Sequence, residues 1–224
     1  MNKKIVFALT SHSKKGNSGQ TTGFYLSEAS HPWAVLKAAG FEIDFVSPQG
    51  GRPPVDGVDM GDNINRRFMD DADVTRKIAN TLLPAQVNAA DYSAIFFVGG
   101  HGTMWDFPDD KFLAQLAVSI YEQGGVVSAV CHGPAALVNM KLTNGEYLIK
   151  GKKVAAFTDD EERAVKLEQI VPFMLATILQ QRGAIHVAAG NWQANVVVDG
   201  RLVTGQNPAS AEGVGRAVAE LLNV

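Results

Sequence analysis

The sequence predicts an α/β protein with a mainly parallel, doubly wound sheet and helices on both faces. Two observations predict it. Short apolar runs alternate along the chain with segments of helical spacing. Several of these runs, such as AIFFV at 94–98, are apolar at every position, which is typical of central parallel strands covered on both faces. The sequence shows no internal repeat and no linker, so we expect a single domain over residues 1–224.

The predicted strands are short and rich in β-branched and aromatic residues. They cover residues 4–9, 41–46, 94–98, 126–130, 153–157 and 185–189. The segment VVVDGRLVTG at 196–205 predicts a hairpin closed by Asp199-Gly200. We expect this hairpin to form an antiparallel edge of the sheet.

Helices are predicted between the strands, over residues 25–39, 72–82, 110–123, 134–139, 161–182 and 209–222. Pro32 lies within the first of them, so we expect a kink there or a helix that begins near His31. Pro134 and Pro172 suit first-turn positions of their helices. The segment 47–64 is rich in Gly, Pro and Asp and predicts a long surface loop.

Composition and charge exclude several classes of protein. With 46% hydrophobic residues and a formal net charge of −3, the chain is neither disordered nor suited to nucleic acid or an anionic membrane. The first apolar run has about five residues, whereas a secretory signal needs about 7–15. No stretch approaches the roughly 18 apolar residues of a membrane span. We therefore expect a cytoplasmic protein that binds neither nucleic acid nor membrane.

The single cysteine of the chain, Cys131, cannot form an internal disulfide, so it is either a packing residue or a reactive one. It follows a predicted strand in the order A-V-C-H-G, the small-x-nucleophile-x-Gly layout of a nucleophile elbow. The small residues permit a tight turn from strand to helix. The N–H groups of the following helix would favour a thiolate and stabilise an oxyanion. Together with the adjacent His132, this layout favours a reactive thiol.

Candidate acids for orienting His132 come from the run TDDEE at 158–162, at the end of another predicted strand. The carboxyl ends of parallel strands share one edge of a sheet, and ligands bind there. These acids would therefore lie near the elbow. Capping of the following helix is an equally good interpretation of the same acids, because carboxylates stabilise a first turn.

A third strand end, VGGHGT at 98–103, brings glycines to the same edge. Glycines allow close backbone approach and leave N–H groups available, so Gly100 could supply an oxyanion donor. His101, Trp105 and Phe107 could form the wall of a small pocket, although a packed aromatic cluster would explain them equally well.

No cofactor or metal ion is expected. The sequence has no phosphate-loop motif and no G-x-G-x-x-G fingerprint. Its histidines show no H-x-x-x-H spacing, and C-x-x-C spacing is absent. They are His12, His31, His101, His132 and His186.

Seven segments, in order over nearly the whole chain, are typical of one family. They are ALTS at 8–11, GFYLSEASHPW at 23–33, GFEIDFVSPQGG at 40–51, ADYSAIFFVGGHGTMWDFPD at 90–109, GGVVSAVCHGPAAL at 124–137, KKVAAFTDDEE at 152–162 and DGRLVTGQNPASA at 199–211. In these segments the chain resembles the ThiJ/PfpI superfamily, also called class I glutamine amidotransferase-like. It is most similar to the branch of glutathione-independent glyoxalases and heat-shock chaperones. The resemblance implies a flavodoxin-like three-layer sandwich.

The resemblance also implies roles for individual residues. It makes Cys131 the nucleophile, with His132 beside it. It makes Glu28 a buried carboxyl that touches the thiol, whereas the pattern of residues alone predicts a solvent-exposed helix face for Glu28. The acid that orients the histidine varies within the branch, and Asp159 and Glu162 are the matching positions here.

Two further implications concern the oxyanion and the type of reaction. The backbone N–H groups of Gly100 and His132 would form the oxyanion hole. The true glutamine amidotransferases use an H-x-E pair far downstream of the elbow. Here His186 is followed by Val187 and Ala188, so that pair is missing and we do not expect amidotransfer.

The activity implied by the resemblance is that of a cofactor-independent glyoxalase, a lyase of the D-lactate dehydratase type. Its small-molecule substrate would be methylglyoxal or a related α-oxoaldehyde, converted to a 2-hydroxy acid through a hemithioacetal on Cys131. A stress-response holdase chaperone or a cysteine redox sensor is the alternative from another class. An amide or peptide hydrolase is a further alternative. A homodimer is expected at the level of the family.

Overall fold

The computed structural model describes residues 4–223. Its strands are β1 (Lys4–Ala8), β2 (Phe24–Tyr25), β3 (Glu42–Val46), β4 (Val55–Asp56), β5 (Ala94–Phe97), β6 (Val126–Val130), β7 (Lys153–Val154), β8 (Ile185–His186), β9 (Val196–Asp199) and β10 (Leu202–Gly205). Its α-helices are α1 (Leu26–Ala38), α2 (Asn63–Asp70), α3 (Ala72–Ala79), α4 (Thr103–Asp106), α5 (Lys111–Glu122), α6 (Asp159–Ala164), α7 (Leu175–Gln181) and α8 (Ala211–Leu222). Short 3₁₀ turns cover Pro84–Gln86, Ala89–Asp91, Gly133–Leu137 and Pro208–Ser210.

The central sheet has the strand order β3-β1-β5-β6-β10-β9. All neighbours are parallel except β10 and β9, which form an antiparallel hairpin at one edge. This confirms the mainly parallel sheet and the antiparallel edge. Asp199 pairs with Leu202, so Gly200 and Arg201 form the turn, one residue later than expected. Gly200 has φ +60°, a left-handed conformation that glycine adopts without strain.

The sheet separates two apolar cores, as the alternation of side chains along a strand requires. On one face, Phe7, Phe45 and Phe96 pack with apolar residues of α1 and α8. On the other face, Val6 and Ile95 pack with apolar residues of α5 and α7. The result is the flavodoxin-like, three-layer sandwich that the resemblance implied. No helix in residues 4–223 is long and apolar enough to cross a membrane.

Helix α1 begins at Leu26, which is earlier than the start near His31 that the sequence allowed. It runs continuously through Pro32, so a start near His31 was wrong. A proline inside a helix removes one backbone hydrogen bond. Close packing against α8 compensates for this loss, since a Cβ atom added at Gly215 would lie 2.8 Å from the Pro32 Cα atom. The consequence for the site is that α1 already includes Glu28 in its first turn.

The largest difference between the predicted and observed elements lies in residues 161–182, which do not form the single helix that the sequence predicted. Helix α6 ends at Ala164, Lys166 has a φ of +60° that lies outside the helical region, and α7 begins only at Leu175. Pro172 therefore lies before the first turn of α7, whereas Pro134 is at the start of its 3₁₀ turn as expected.

Four further segments differ in detail from the sequence expectations. Strands predicted over 153–157 and 185–189 shorten to the two-residue strands β7 and β8, which pair in a small separate sheet. The helix predicted over 134–139 is the 3₁₀ turn Gly133–Leu137. The predicted loop at 47–64 contains β4 and ends at α2, which the side chain of Asp62 caps.

Candidate active site

The elbow at Cys131 follows β6 at the carboxyl edge of the sheet. Cys131 has φ +59°, a left-handed conformation that costs energy for any residue except glycine. Its N–H donates to the Gly205 carbonyl and its own carbonyl accepts from the Phe157 N–H, both at 2.9 Å. Gly133 follows two residues later, where an added Cβ atom would lie 2.3 Å from the Phe97 carbonyl oxygen. The backbone contacts therefore hold Cys131 in a tight, strained turn of the kind that the elbow spacing predicts.

Glu28 lies against this cysteine and is fully buried. Gly99 leaves the space that it occupies, because a Cβ atom at this position would be 2.1 Å from Glu28 Oε2 and 2.9 Å from Cys131 Cβ. Neither Glu28 oxygen has a partner of regular hydrogen-bond geometry among residues 4–223. Burial raises the pKa of Glu28 to about 8, although the Cys131 thiol and the Gly99 N–H oppose the shift. Glu28 is therefore at the thiol, contrary to the solvent-exposed face that the pattern predicts.

Cys131 is only 4% exposed, and the pKa of its thiol moves in the opposite direction to the one expected from an elbow. Burial is the main cause that raises the pKa of Cys131, and the nearby charge of Glu28 is the second. The backbone N–H of His132 lowers this pKa. The segment after the elbow is a five-residue 3₁₀ turn, too short to supply the dipole of a full helix. The Glu28 carboxyl and the Cys131 thiol are neighbouring buried acids and therefore titrate as a coupled pair. Once one of them is ionised, ionisation of the other is unfavourable.

His132 completes a chain of hydrogen bonds from the thiol. Its Nδ1 atom lies 3.3 Å from Cys131 Sγ, and its Nε2 atom lies 2.7 Å from Glu162 Oε2. Glu162 is ionised, because although burial alone would raise its pKa, the neighbouring histidines lower it to about 2. An ionised carboxylate accepts a hydrogen bond from the Nε2–H group, so Nδ1 carries no proton and can accept that of the thiol.

A second histidine shares the same carboxylate. His101 Nε2 lies 2.9 Å from Glu162 Oε1, and the ring centroids of His101 and His132 are 4.0 Å apart. Burial and the charge of His132 lower the pKa of His101 to about 4, so His101 is neutral near pH 7. The potential ligand atoms of these three side chains lie within 4.8 Å of one another and could hold a metal ion. Sequence spacing could not find this cluster, since its members come from three distant segments.

The structure brings Glu162 to His132 and places Asp159 elsewhere. Asp159 accepts a hydrogen bond from Thr177 Oγ1. Glu161 forms a capping box with Thr158 at the start of α6. Both interpretations of the acidic run therefore hold for different residues. Glu161 caps the helix, and Glu162 is the partner of His132.

A cavity of about 520 Å³ opens onto the thiol. Gly100 and His101 line it, together with three aromatic residues that the sequence analysis did not single out: Tyr25, Phe157 and Trp192. Of these, Phe157 is the last residue of the run predicted as a strand over 153–157, and this position is the one signal that could have found it.

Trp105 and Phe107 do not line this cavity, so the pocket wall expected from them was wrong. Trp105 stacks on His12 with 5.2 Å between ring centroids. Phe107 is 1% exposed and packs on Phe97 within the core. Both residues follow the turn at His101, where the chain enters α4 and leaves the edge of the sheet. They form the packed aromatic contacts that were the alternative interpretation.

Comparison with known proteins shows which family the chain resembles. The chain matches the DJ-1/PfpI family over residues 20–221. It is 40% identical to "Glutathione-independent glyoxalase HSP31" of Saccharomyces cerevisiae and 36% identical to "Glyoxalase 3" of Candida albicans, with 93% of each chain covered in both cases.

Two solved structures are similarly close. The Francisella tularensis Rapid Encystment Protein 24 KDa superposes with a TM-score of 0.94 at 39% identity, covering 98% of this chain and 99% of the other. Glyoxalase III from Candida albicans gives a TM-score of 0.90 at 34% identity, covering 97% and 96%. With a family match over most of its length and relatives of this similarity, the chain belongs to the DJ-1/PfpI family.

Proposed function

We propose that the protein is a cofactor-independent glyoxalase that converts methylglyoxal, or a related α-oxoaldehyde, to a 2-hydroxy acid. The proposal rests above all on Glu28, a fully buried carboxyl beside the Cys131 thiol with a pKa raised to about 8. A carboxylate of that basicity suits proton transfer from carbon near neutral pH better than an ordinary one. The names of the two similar glyoxalases support the same activity.

In the first step, Cys131 gives its proton to His132 Nδ1, 3.3 Å away, and the thiolate sulfur attacks the aldehyde carbon of the substrate. A C–S bond forms as the carbonyl π electrons move to oxygen. The ion pair with Glu162 stabilises the resulting imidazolium. The backbone N–H groups of Gly100 and His132, which both line the cavity, would bind the oxyanion. Proton return from His132 gives the hemithioacetal.

In the second step, a proton moves between the two substrate carbons. Ionised Glu28 removes the proton from the carbon bonded to sulfur, and His132 relays the hydroxyl proton of that carbon to the ketone oxygen, giving an enediolate. Glu28 then delivers its proton to the neighbouring carbon and is ionised again, while the negatively charged oxygen on the sulfur-bearing carbon becomes the thioester carbonyl. One carbon is oxidised and the other reduced, so no external oxidant or reductant is needed.

In the last step, water adds to the thioester carbonyl and the Cys131 thiolate leaves with the electrons of the C–S bond. His132 would take the proton from the attacking water and return it to the sulfur. The products are the 2-hydroxy acid, which is lactate when the substrate is methylglyoxal, and the free thiol. Overall, one water is added to one oxoaldehyde.

The test is lactate formation from methylglyoxal without glutathione. We expect turnover by the unmodified protein, and a loss of at least about a thousandfold in kcat in both Cys131→Ala and Glu28→Gln. Glu28→Gln keeps the shape of the side chain, so it separates the role of the proton from that of packing. Unchanged turnover in Cys131→Ala would disprove the mechanism, and no lactate from the unmodified protein would disprove the function.

The alternatives predicted from the resemblance are less well supported by the site. A peroxide sensor needs an accessible thiolate, whereas Cys131 is buried and its pKa is raised. Holdase activity stays a prediction, tested by suppression of client aggregation that survives Cys131→Ala. The amide or peptide hydrolase rests on the elbow alone. A cytoplasmic homodimer also stays a prediction, which gel filtration and cell fractionation would test.

A further inference from the structure

The cavity at Cys131 is much larger than methylglyoxal needs. Its volume of about 520 Å³ lies within the roughly 300–1,000 Å³ of pockets that bind drug-sized ligands, whereas methylglyoxal has only three carbons. The space beyond the reacting carbons must therefore be occupied by water or by a bulkier substituent. The chemistry of the wall decides between these two.

Part of that wall is aromatic and continuous with the reacting residues. The Phe157 ring lies 4.3 Å from the His132 ring, centroid to centroid, and the Trp192 ring lies 5.7 Å from that of Phe157. Val165 and Leu167 add aliphatic surface to the same cavity. Trp192 is 49% exposed, so a large ring is left open to solvent at the end of this series. An aromatic or aliphatic substituent would cover that surface and be stabilised by it.

Trp192 is held in place by a buried carboxylate. Its φ of +64° is unfavourable for a residue with a side chain. The backbone N–H of Trp192 donates to Glu161 Oε1 at 2.8 Å, and Glu161 is fully buried. The same oxygen accepts from Asn207 Nδ2 at 2.8 Å and Gln206 Nε2 at 3.2 Å, while the other oxygen accepts from Thr158. Burying a carboxylate is costly unless its partners are fixed, so this arrangement defines the backbone position of Trp192.

We propose that Trp192 determines substrate specificity and favours α-oxoaldehydes with a large apolar substituent, such as an aryl group. The reacting carbons lie at Cys131, and the substituent packs on Phe157 and Trp192. Glu161 is a positioning residue that acts through the backbone of Trp192. The inference rests on the proposed function and adds the substituent that the site selects.

The first experiment compares kcat/KM for phenylglyoxal with kcat/KM for methylglyoxal. The unmodified protein should prefer phenylglyoxal, and Trp192→Ala should lower the ratio of the two values about tenfold, mainly through KM for phenylglyoxal. Trp192→Phe keeps an aromatic ring and should give an intermediate ratio. Trp105→Ala is the matched control, since Trp105 lies outside the cavity and should leave the ratio unchanged.

The second experiment tests Glu161. Glu161→Gln should lower the ratio in the same direction as Trp192→Ala and increase quenching of tryptophan fluorescence by iodide, because Trp192 becomes more mobile. Combined with Trp192→Ala, it should have no further effect on the ratio, since both changes act through one residue. If Glu161 acted only by supporting Glu162, kcat would fall equally for both substrates and the two effects would add; that result would overturn the positioning role.

The outcomes separate the two proposals. Turnover of methylglyoxal with a ratio that is unchanged in folded Trp192→Ala and Trp192→Phe would overturn the specificity role and leave the glyoxalase function intact. A higher kcat/KM for methylglyoxal than for phenylglyoxal in the unmodified protein would do the same. No turnover of either substrate would overturn both.

Discussion

The Nε2 atom of His132 lies 2.7 Å from Oε2 of Glu162, and both side chains are almost completely buried. Because the pKa of Glu162 is about 2, the carboxylate is charged at every pH at which the protein would work. The proton of the imidazole is therefore held on Nε2, and Nδ1 is turned to the Cys131 sulfur as an acceptor. This geometry suits the role of base for the thiol that we propose for His132.

Replacing Glu162 by Gln removes this charge while keeping the size of the side chain. The imidazolium that forms when Cys131 loses its proton is no longer stabilised, and the amide can donate to Nε2, which favours the wrong tautomer. We expect kcat for methylglyoxal to fall by about two to four orders of magnitude. Asp159→Asn is the matched control, since Asp159 contacts Thr177, and it should retain activity within about twofold. Equal losses in both variants would contradict the assignment of Glu162.

The buried Glu28 should make stability depend on pH. Its pKa is raised from 4.5 to about 8 in the folded state, so between these values the folded protein holds a proton that the unfolded chain has lost. Rising pH therefore lowers the free energy of unfolding across this window. Below about pH 4.5 both states are protonated, and this contribution vanishes.

Glu28→Gln cannot ionise and should remove this pH dependence. The difference in the free energy of unfolding, variant minus unmodified protein, should grow between about pH 5 and 8 and level off above it. At 1.4 kcal/mol per pKa unit, a gain on the order of 5 kcal/mol is expected at pH 9. Urea denaturation at several pH values measures it. A difference that does not vary with pH would show that Glu28 titrates normally in the folded protein.

The sequence could predict those parts of the site whose interacting residues lie close together along the chain. Cys131 and His132 are adjacent in the sequence, so the elbow spacing and the neighbouring histidine were enough to predict a reactive thiol there. Glu28 was assigned to an exposed face from its local pattern, because its burial depends on Gly99, which is distant along the chain and leaves the space that it occupies. Only the resemblance to a family placed Glu28 correctly. The raised pKa of the thiol also depends on that long-range contact.

The same distinction holds for the fold. The fully apolar run at 94–98 and the Asp199-Gly200 turn signal predict a central strand and a hairpin, since each is decided by neighbouring residues. The prediction of one helix over 161–182 was wrong. The helix is interrupted around Lys166, where φ is positive although no glycine or proline marks a break. There the chain follows its tertiary contacts, as Leu167, part of the core, also lines the active-site cavity.

The activity should also depend on pH through Glu28. As the base of the second step, Glu28 must be ionised, and its pKa of about 8 means that kcat/KM for methylglyoxal rises about tenfold per pH unit below that value. Initial rates from pH 5 to 9 would show this ascending limb. An ascending limb centred near pH 4.5 would show that the base is an ordinary carboxyl and that Glu28 has another role.

Gly99→Ala tests whether the space beside Glu28 is essential. The added Cβ atom would lie 2.1 Å from Glu28 Oε2, 2.5 Å from the Val130 carbonyl oxygen and 2.9 Å from Cys131 Cβ, so the carboxyl must move away from the thiol. We expect kcat to fall at least about a hundredfold and the free energy of unfolding to fall by about 1–3 kcal/mol.

Gly61→Ala is the matched control for this substitution, because a Cβ atom there meets only the exposed side chain of Asp59. It should keep both activity and stability. The thermal unfolding midpoint and methylglyoxal turnover, measured together, distinguish the two possible results for Gly99→Ala. A variant that folds but has lost turnover supports a requirement for contact between Glu28 and Cys131. A folded variant with full turnover would mean that the reaction does not need the carboxyl at this position.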